Sequence, residues 1–185
     1  MKKEALLEPL LRKLRIGRII NYIPENAFIC DVGCGFDGTF LKQISYKIAK
    51  GIGLDKKVTP YSDEKINLIR CEMEDSLNLD SYISDCITML AVLEHLDHPK
   101  AILEECFRVL KSGGVLIITT PTPLSKYILE FMAFRLRIIS KQEILDHKYY
   151  FKHKEIKEIL ENIGFSKVIA TTFQFGLNNF VIAYK

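Results

Sequence analysis

At 185 residues, 48% of them apolar and without repeats or low-complexity tracts, the chain can bury one full hydrophobic core, which excludes disordered and fibrous classes. The formal charge of +3 is too small to argue for a nucleic-acid partner. No apolar run reaches the length of a helical membrane span, so a soluble globular protein is expected.

Residues 3–22 place Leu6, Leu7, Leu10, Leu11, Leu14, Ile16, Ile19 and Ile20 at helical spacing. With Pro9 and Gly17 as breaks, the segment 1–24 predicts one or two helices against the sheet edge or over a ligand, stopped by Pro24. A short apolar run, Ala27 to Val32, then enters a glycine-rich turn through Gly38, and a helix is expected from Thr39 to about Ile48. Strand, glycine turn and helix form the opening unit of a nucleotide-binding α/β sheet, because the glycines let backbone approach a ligand that a side chain would block. The second strand, Gly51 to Leu54, closes on Asp55, where a carboxylate can grip ribose hydroxyls. A solvated loop aspartate is the plain alternative.

Ile66 to Arg70 reads as a third strand, followed by Cys71-Glu72-Met73-Glu74-Asp75, whose acids could accept from an adenine amino group or form a surface charge cluster. The fourth strand is Cys86 to Leu90, and Pro99 opens a helix through about Leu110. Lys111 to Gly114 reads as a helix stop and turn, with the fifth strand at Val115 to Thr119. Up to this point strand and helix alternate, which means a parallel sheet with right-handed crossovers. The end of the chain departs from that pattern. After a helix from about Lys154 to Asn162 capped by Gly164, the runs Lys167–Phe175 and Asn179–Tyr184 are separated by three residues and must pair as an antiparallel hairpin.

Taken together, Asp31-Val-Gly-Cys-Gly, Asp55, Cys71-Glu-Met-Glu-Asp75, Val92-Leu-Glu-His-Leu96, Leu110-Lys-Ser-Gly-Gly114 and the terminal hairpin resemble the class I S-adenosylmethionine-dependent methyltransferases, in particular their broad small-molecule group. The resemblance covers about residues 27–120 and 147–185. It implies a three-layer Rossmann-like α/β sandwich with a mostly parallel seven-stranded sheet and an antiparallel C-terminal strand, as one methyltransferase domain over 1–185. It also implies S-adenosyl-L-methionine as cofactor. Gly33 and Gly35 would lie beside its methionine part, Asp31 would orient the turn and help hold the amino group, and the backbone near Leu90 would meet that group. Asp55 would bind the ribose, and Glu72 with the Met73 backbone would recognise adenine. The chain departs from the commonest family pattern at Gly38, one position late, and at Glu72, where an aspartate is usual.

Methyl transfer from a sulfonium chiefly requires alignment of nucleophile, carbon and leaving sulfur. A general base is needed only if the acceptor must lose a proton. His95 follows the fourth strand on the ligand side and titrates near neutrality, so it is a catalytic candidate; bracing the next helix is the alternative. His147 is the second, at a position that the resemblance puts near the substrate. His98 and His153 read as surface residues. No Asn-Pro-Pro-Tyr-like sequence follows the fourth strand, so nucleic acid is not favoured as acceptor, and no metal cluster is expected.

The five cysteines have no paired Cys-x-x-Cys spacing; with no signal peptide expected, they fit free thiols in the cytoplasm. Residues 1–20 carry six basic and two acidic side chains, and residues 121–154 seven and three; these favour an anionic surface or substrate if they lie together, or are simply solvated faces. Residues 121–151 form a lid-like insertion. Within it ten of the thirteen residues from Tyr127 to Ile139 are apolar, so 124–141 reads as a cover for a lipophilic or anionic small-molecule acceptor, a membrane-surface contact or a homodimer interface. The rival functions are an NAD(P)-dependent Rossmann oxidoreductase, suggested by the Tyr150 and Lys154 spacing, and a non-catalytic S-adenosylmethionine-binding module.

Overall fold

The computed structural model describes residues 8–131, 135 and 145–185. The strands are β1 (Phe28–Val32), β2 (Lys50–Asp55), β3 (Tyr61–Ser62), β4 (Ile66–Arg70), β5 (Ser84–Leu90), β6 (Leu110–Pro121), β7 (Lys167–Phe173) and β8 (Asn178–Tyr184). They form one sheet in the order β3-β4-β2-β1-β5-β6-β8-β7. The pairs β1–β2, β1–β5, β2–β4 and β5–β6 are parallel; β8 runs antiparallel to both β6 and β7. From β1 the chain winds outward through β2 to β4, then returns to build β5 and β6 on the other side. The order therefore reverses between β1 and β5, which opens a crevice at their C-terminal ends.

Helices cover both faces, giving three layers. Ile102, Leu103, Cys106 and Val109 of α3 (Pro99–Val109), and Ile156 and Leu160 of α5 (His153–Ile163), pack with Cys30, Val32, Ile87, Met89 and Val181. On the other face Ile19 of α1 (Glu8–Ile19) and Phe40 and Leu41 of α2 (Thr39–Gln43) pack with Ile29, Cys86, Ile117 and Phe180. The central strands are thus buried on both sides, which is why they read as continuous apolar runs.

Several boundaries differ from expectation. The α1 helix runs unbroken past Pro9 and Gly17. Pro9 sits in the first turn, where an amide would lack an intrahelical partner anyway. The α2 helix ends at Gln43 rather than near Ile48, although Ile44 and Ile48 stay buried. Lys111–Gly114 belongs to β6 instead of forming a separate turn: pairing with β5 jumps from Ser84↔Leu110 to Cys86↔Val115, and the extra residues bulge through Gly113 at φ +77°. The sheet has eight strands rather than seven, since the two-residue β3 adds an antiparallel edge too short to leave a periodic signal. The expected helix over 126–141 is seen as α4 (Ser125–Phe131); the rest of that stretch, except position 135, lies outside the described residues.

Candidate active site

The glycine turn sits at the β1 end of the crevice. Gly33 and Cys34 donate their amides to the Leu54 carbonyl at 2.7 and 3.0 Å, which folds the turn back over β2. Gly33 and Gly35 have φ of +78° and +74°, a left-handed conformation costly for any residue with a Cβ. The two glycines differ in what surrounds them. A Cβ on Gly33 would stand 2.2 Å from Val92 Cγ2, whereas one on Gly35 would meet nothing within 4 Å. Gly33 is thus required by packing, and Gly35 borders open space.

Asp55, at the end of β2, reaches across to the turn. Its Oδ2 accepts from the Gly35 amide at 3.0 Å and its Oδ1 from Lys57 at 2.8 Å. An ionised carboxylate offers about four lone-pair sites, so these amides leave acceptor capacity for a pair of hydroxyls. Asp31 is buried and accepts from Thr88 Oγ1 at 2.6 Å. Burial raises its carboxyl from 3.8 to about 7; the Thr88 hydrogen bond opposes that shift and the nearby Asp55 charge adds to it. A carboxyl raised on folding stabilises the fold fully below its unfolded value near 4, and that contribution is lost as pH rises through about 7. Asp31→Asn keeps an acceptor for Thr88 and removes the buried charge. Its thermal midpoint, relative to the parent chain, should therefore rise more at pH 8 than at pH 4.5; an equal difference at both would contradict the buried-carboxyl account.

The third wall follows β4. Cys71 donates its amide to the Asp55 carbonyl at 3.2 Å, Glu72 is exposed, and Met73 is buried at φ +53°. This stretch is clamped from α3, where Glu105 Oε2 accepts from the Leu77 amide at 3.0 Å and Arg108 Nη2 donates to the Leu79 carbonyl at 2.7 Å. Neither clamp residue stands out in the sequence, because both look like ordinary exposed-face charges of an amphipathic helix. Across the crevice Leu90 is half-buried at the end of β5, and Ala91, at φ +59°, donates to the Thr119 carbonyl at 2.8 Å. The structure therefore brings Asp31, Gly33, Gly35, Asp55, Glu72, Met73 and Leu90 to the same end of the sheet.

His95 and His147 also come together, beside that turn. Val92, which packs on Gly33, leads into the 3₁₀ turn Leu93–His95. The Glu94 carbonyl accepts the amides of Lys148 at 2.8 Å and Tyr149 at 3.3 Å, and Lys148 pairs with Asp97. Residues 146–149 are thereby fastened to 94–97, and the two imidazoles meet edge to face with centroids 4.7 Å apart. His95 Nδ1 lies 3.2 Å from the Asp146 carbonyl. A carbonyl can only accept, so Nδ1 carries the proton and the neutral ring keeps its lone pair on Nε2. His147 Nδ1 pairs with Tyr150 Oη at 2.9 Å. Burial lowers both imidazole pKa values, His147 to about 4 with the neighbouring His95 adding to the shift, so both rings are neutral at pH 7. His98 is exposed and His153 half-buried.

Beneath the pair lies Glu94, 1% exposed, its Oε2 accepting from Thr120 Oγ1 at 2.9 Å. Burial raises its carboxyl to about 7 against the Thr120 hydrogen bond and the Arg15 charge. One ligand-type atom each from Glu94, His95 and His147 falls within 4.8 Å of the others. Sequence reasoning passes over Glu94, since an acid in a polar loop looks solvated, and over the Tyr150–His147 contact, although the two stand three positions apart.

Comparison with known proteins follows the same lines. A family model described as a methyltransferase domain matches residues 6–170. The mitochondrial ubiquinone biosynthesis O-methyltransferase of Rattus norvegicus is 31% identical over 104 residues, covering 50% of this chain and 30% of the rat protein. The ubiquinone biosynthesis O-methyltransferase of Vibrio cholerae is 22% identical over 183 residues, covering 90% and 74%. The chain spans less than half the length of the rodent relatives, 30% in rat and 41% in mouse. Among solved structures, a SAM-dependent methyltransferase from Archaeoglobus fulgidus superposes with a TM-score of 0.73 at 22% identity, covering 95% of this chain and 94% of that one.

Proposed function

The chain belongs to the methyltransferase-domain family, whose cofactor is S-adenosyl-L-methionine, and on that premise we propose that it methylates an oxygen of a small, lipophilic or anionic acceptor. The observation that carries this reading is the Asp55 bridge to Gly35 at the open mouth of the turn, with the His95–His147 pair alongside. The residues fit the cofactor. Gly35 borders unfilled space, Asp55 has acceptor capacity for ribose hydroxyls, and Asp31 is a buried carboxyl beside the turn. In this reading Glu72 and the Met73 backbone recognise adenine, and the backbone at Leu90 meets the amino group. When bound, the cofactor supplies a methyl carbon already activated by its sulfonium.

The chain's own contribution is to hold the acceptor in line and to ionise it. In this reading His95, whose Nδ1 donates to the Asp146 carbonyl, offers its Nε2 lone pair to the acceptor hydroxyl with His147 beside it, both rings being neutral at pH 7. The relatives named ubiquinone biosynthesis O-methyltransferases favour an oxygen nucleophile on an acceptor with an apolar body. The whole of 1–185 acts as one methyltransferase domain in this reading, with 121–151 as its lid. Leu124, Tyr127 and Ile128 are exposed at the start of that lid, and Phe175 is fully exposed on the β7–β8 turn, which Thr122 ties to the strand before α4. Such a patch suits a lipophilic acceptor, a membrane surface or a second copy of the chain. Phe131 and Phe134 are the side chains best placed by sequence to test the lid; Phe131 ends α4, and Phe134 lies outside the described residues. Among the described residues no helix is long and apolar enough to cross a membrane.

The test is product formation from methyl-labelled cofactor with phenols and catechols bearing apolar tails, read by mass. Labelled acceptor should accumulate, and His95→Ala should lower turnover at least tenfold while leaving the dissociation constant for S-adenosylhomocysteine within twofold. Stabilisation by NAD or NADP with none from S-adenosylhomocysteine would overturn the reading. Cofactor binding without turnover of any acceptor, including in a lysate extract, would favour the non-catalytic module.

A further inference from the structure

We propose that Glu105 and Arg108 of α3 are positioning residues for adenine: from behind the crevice wall they hold residues 71–81 in the conformation that presents the Met73 backbone to the base. The inference rests on the methyltransferase reading above, and both residues act through the chain they hold. The stretch between β4 and β5 has no helix or strand of its own, yet its backbone is sharply specified. Met73, Asn78 and Tyr82 take φ of +53°, +52° and +58° without being glycine. Such left-handed residues persist only where their surroundings over-determine them. Met73 and Leu77 belong to the same buried cluster as Ile102, Leu103 and Cys106 of α3. Apolar burial is non-directional, so that packing sets the depth of the loop rather than its hydrogen-bonding geometry.

The directional part comes from one side-chain pair. Arg108 forks onto Glu105, Nε to Oε1 at 2.6 Å and Nη2 to Oε2 at 2.8 Å. These hydrogen bonds hold the Glu105 carboxyl at about 2 against its partial burial, so it accepts as a carboxylate. Its Oε2 takes the Leu77 amide at 3.0 Å and Ser76 Oγ at 3.2 Å. Arg108 holds the following residues, donating from Nη2 to the Leu79 carbonyl at 2.7 Å and from Nη1 to Ser81 Oγ at 3.0 Å. Its own carbonyl accepts the Tyr82 amide at 3.1 Å. Cys71 closes the near end, its Sγ donating to the Ser76 carbonyl at 3.8 Å and its amide to the Asp55 carbonyl at 3.2 Å. Met73 therefore lies in a short loop whose two ends, Cys71 and Leu77, are both fixed. Glu104, one position before Glu105, is exposed and pairs with Lys100 on the helix surface at 3.7 Å. A loop released from the clamp would be in its binding conformation for only a fraction of the time, and affinity falls by that fraction.

The experiment titrates the full chain by calorimetry with S-adenosylhomocysteine and with S-inosylhomocysteine, whose base carries a carbonyl in place of the amino group. A site that hydrogen-bonds the amino group rejects the analogue, so the parent chain should favour S-adenosylhomocysteine at least tenfold. Glu105→Gln loses the charge and Arg108→Lys loses the fork. Each should raise the dissociation constant for S-adenosylhomocysteine at least fivefold and leave that for S-inosylhomocysteine within twofold. Glu104→Gln should match the parent chain with both ligands. Hydrogen exchange at the Leu77 amide should quicken at least tenfold in the two clamp variants and slow again with S-adenosylhomocysteine bound. A role in stability alone would lower the thermal midpoint and move both dissociation constants equally or not at all; either result overturns the proposal. Should Glu105→Gln fail to fold, Ser76→Ala carries the test from the exposed side of the loop. It should weaken S-adenosylhomocysteine at least threefold with the analogue unmoved, and unmoved constants for both ligands overturn the proposal. A parent chain that binds both ligands alike sinks the adenine-positioning role alone, and one that binds neither sinks the methyltransferase reading beneath it.

Discussion

Asp55→Ala is expected to weaken S-adenosylhomocysteine binding by about 2–4 kcal/mol, because hydroxyl donors in the crevice lose a charged acceptor. That corresponds to roughly 30- to 1000-fold in the dissociation constant. The structure adds a second component to the loss. Asp55 also takes the Gly35 amide at 3.0 Å and the Lys57 amide at 2.8 Å, so alanine leaves the turn without the side chain that ties it to the end of β2. Asp55→Asn separates the two contributions. Its carbonyl oxygen can still accept from Gly35 but carries no charge, so its affinity should fall between those of the parent chain and the alanine variant. Calorimetric titration of all three, with their ligand-free thermal midpoints, decides the matter. An unchanged dissociation constant in the alanine variant would reduce Asp55 to a loop brace.

What the sequence makes legible here is local, and what it conceals is long-range. Ile66–Arg70 is found as expected, since apolar Ile66 and Leu68 alternate with Asn67 over a stretch too short for a helix. The terminal hairpin is legible for the same reason: three intervening residues permit only antiparallel pairing, and β7 and β8 pair that way. Asp55 is legible from its distance to the glycine turn, although its bond to Gly35 is not. Glu94 is hidden because burial is a property of the tertiary fold, and the polar company of 94–98 suggests solvent. The meeting of His95 with His147 depends on backbone hydrogen bonds from Lys148 and Tyr149 to Glu94, which involve no side-chain signature at all. The bulge at 111–114 misleads in a different way. Gly113-Gly114 is a valid turn signal, but the adjacent strands absorb it by shifting register instead of ending.

Gly33→Ala and Gly35→Ala should part company, although both positions have the same backbone conformation. At Gly33 the new methyl would stand 2.2, 2.8 and 3.0 Å from Cγ2, Cγ1 and Cβ of Val92, and it would do so at φ +78°. Overpacking of about 1–3 kcal/mol adds to left-handed strain of about 1–2 kcal/mol, giving a destabilisation of about 2–5 kcal/mol. Val92 is itself the lead-in to Glu94 and His95, so its displacement should disturb both halves of the crevice. At Gly35 only the conformational strain applies, because no protein atom stands within 4 Å of the added carbon. The fold should lose about 1–2 kcal/mol there, with the larger effect falling on cofactor affinity. Denaturant unfolding of both variants, with and without S-adenosylhomocysteine, measures the two effects separately. Adding Val92→Ala to Gly33→Ala removes the two closest methyls and leaves the Cβ contact at 3.0 Å, so part of the lost stability should return. If the double variant is no more stable than Gly33→Ala, the cost lies in the backbone rather than in Val92. Should Gly35→Ala then bind S-adenosylhomocysteine as tightly as the parent chain, the open space beside Gly35 is not where the cofactor lies.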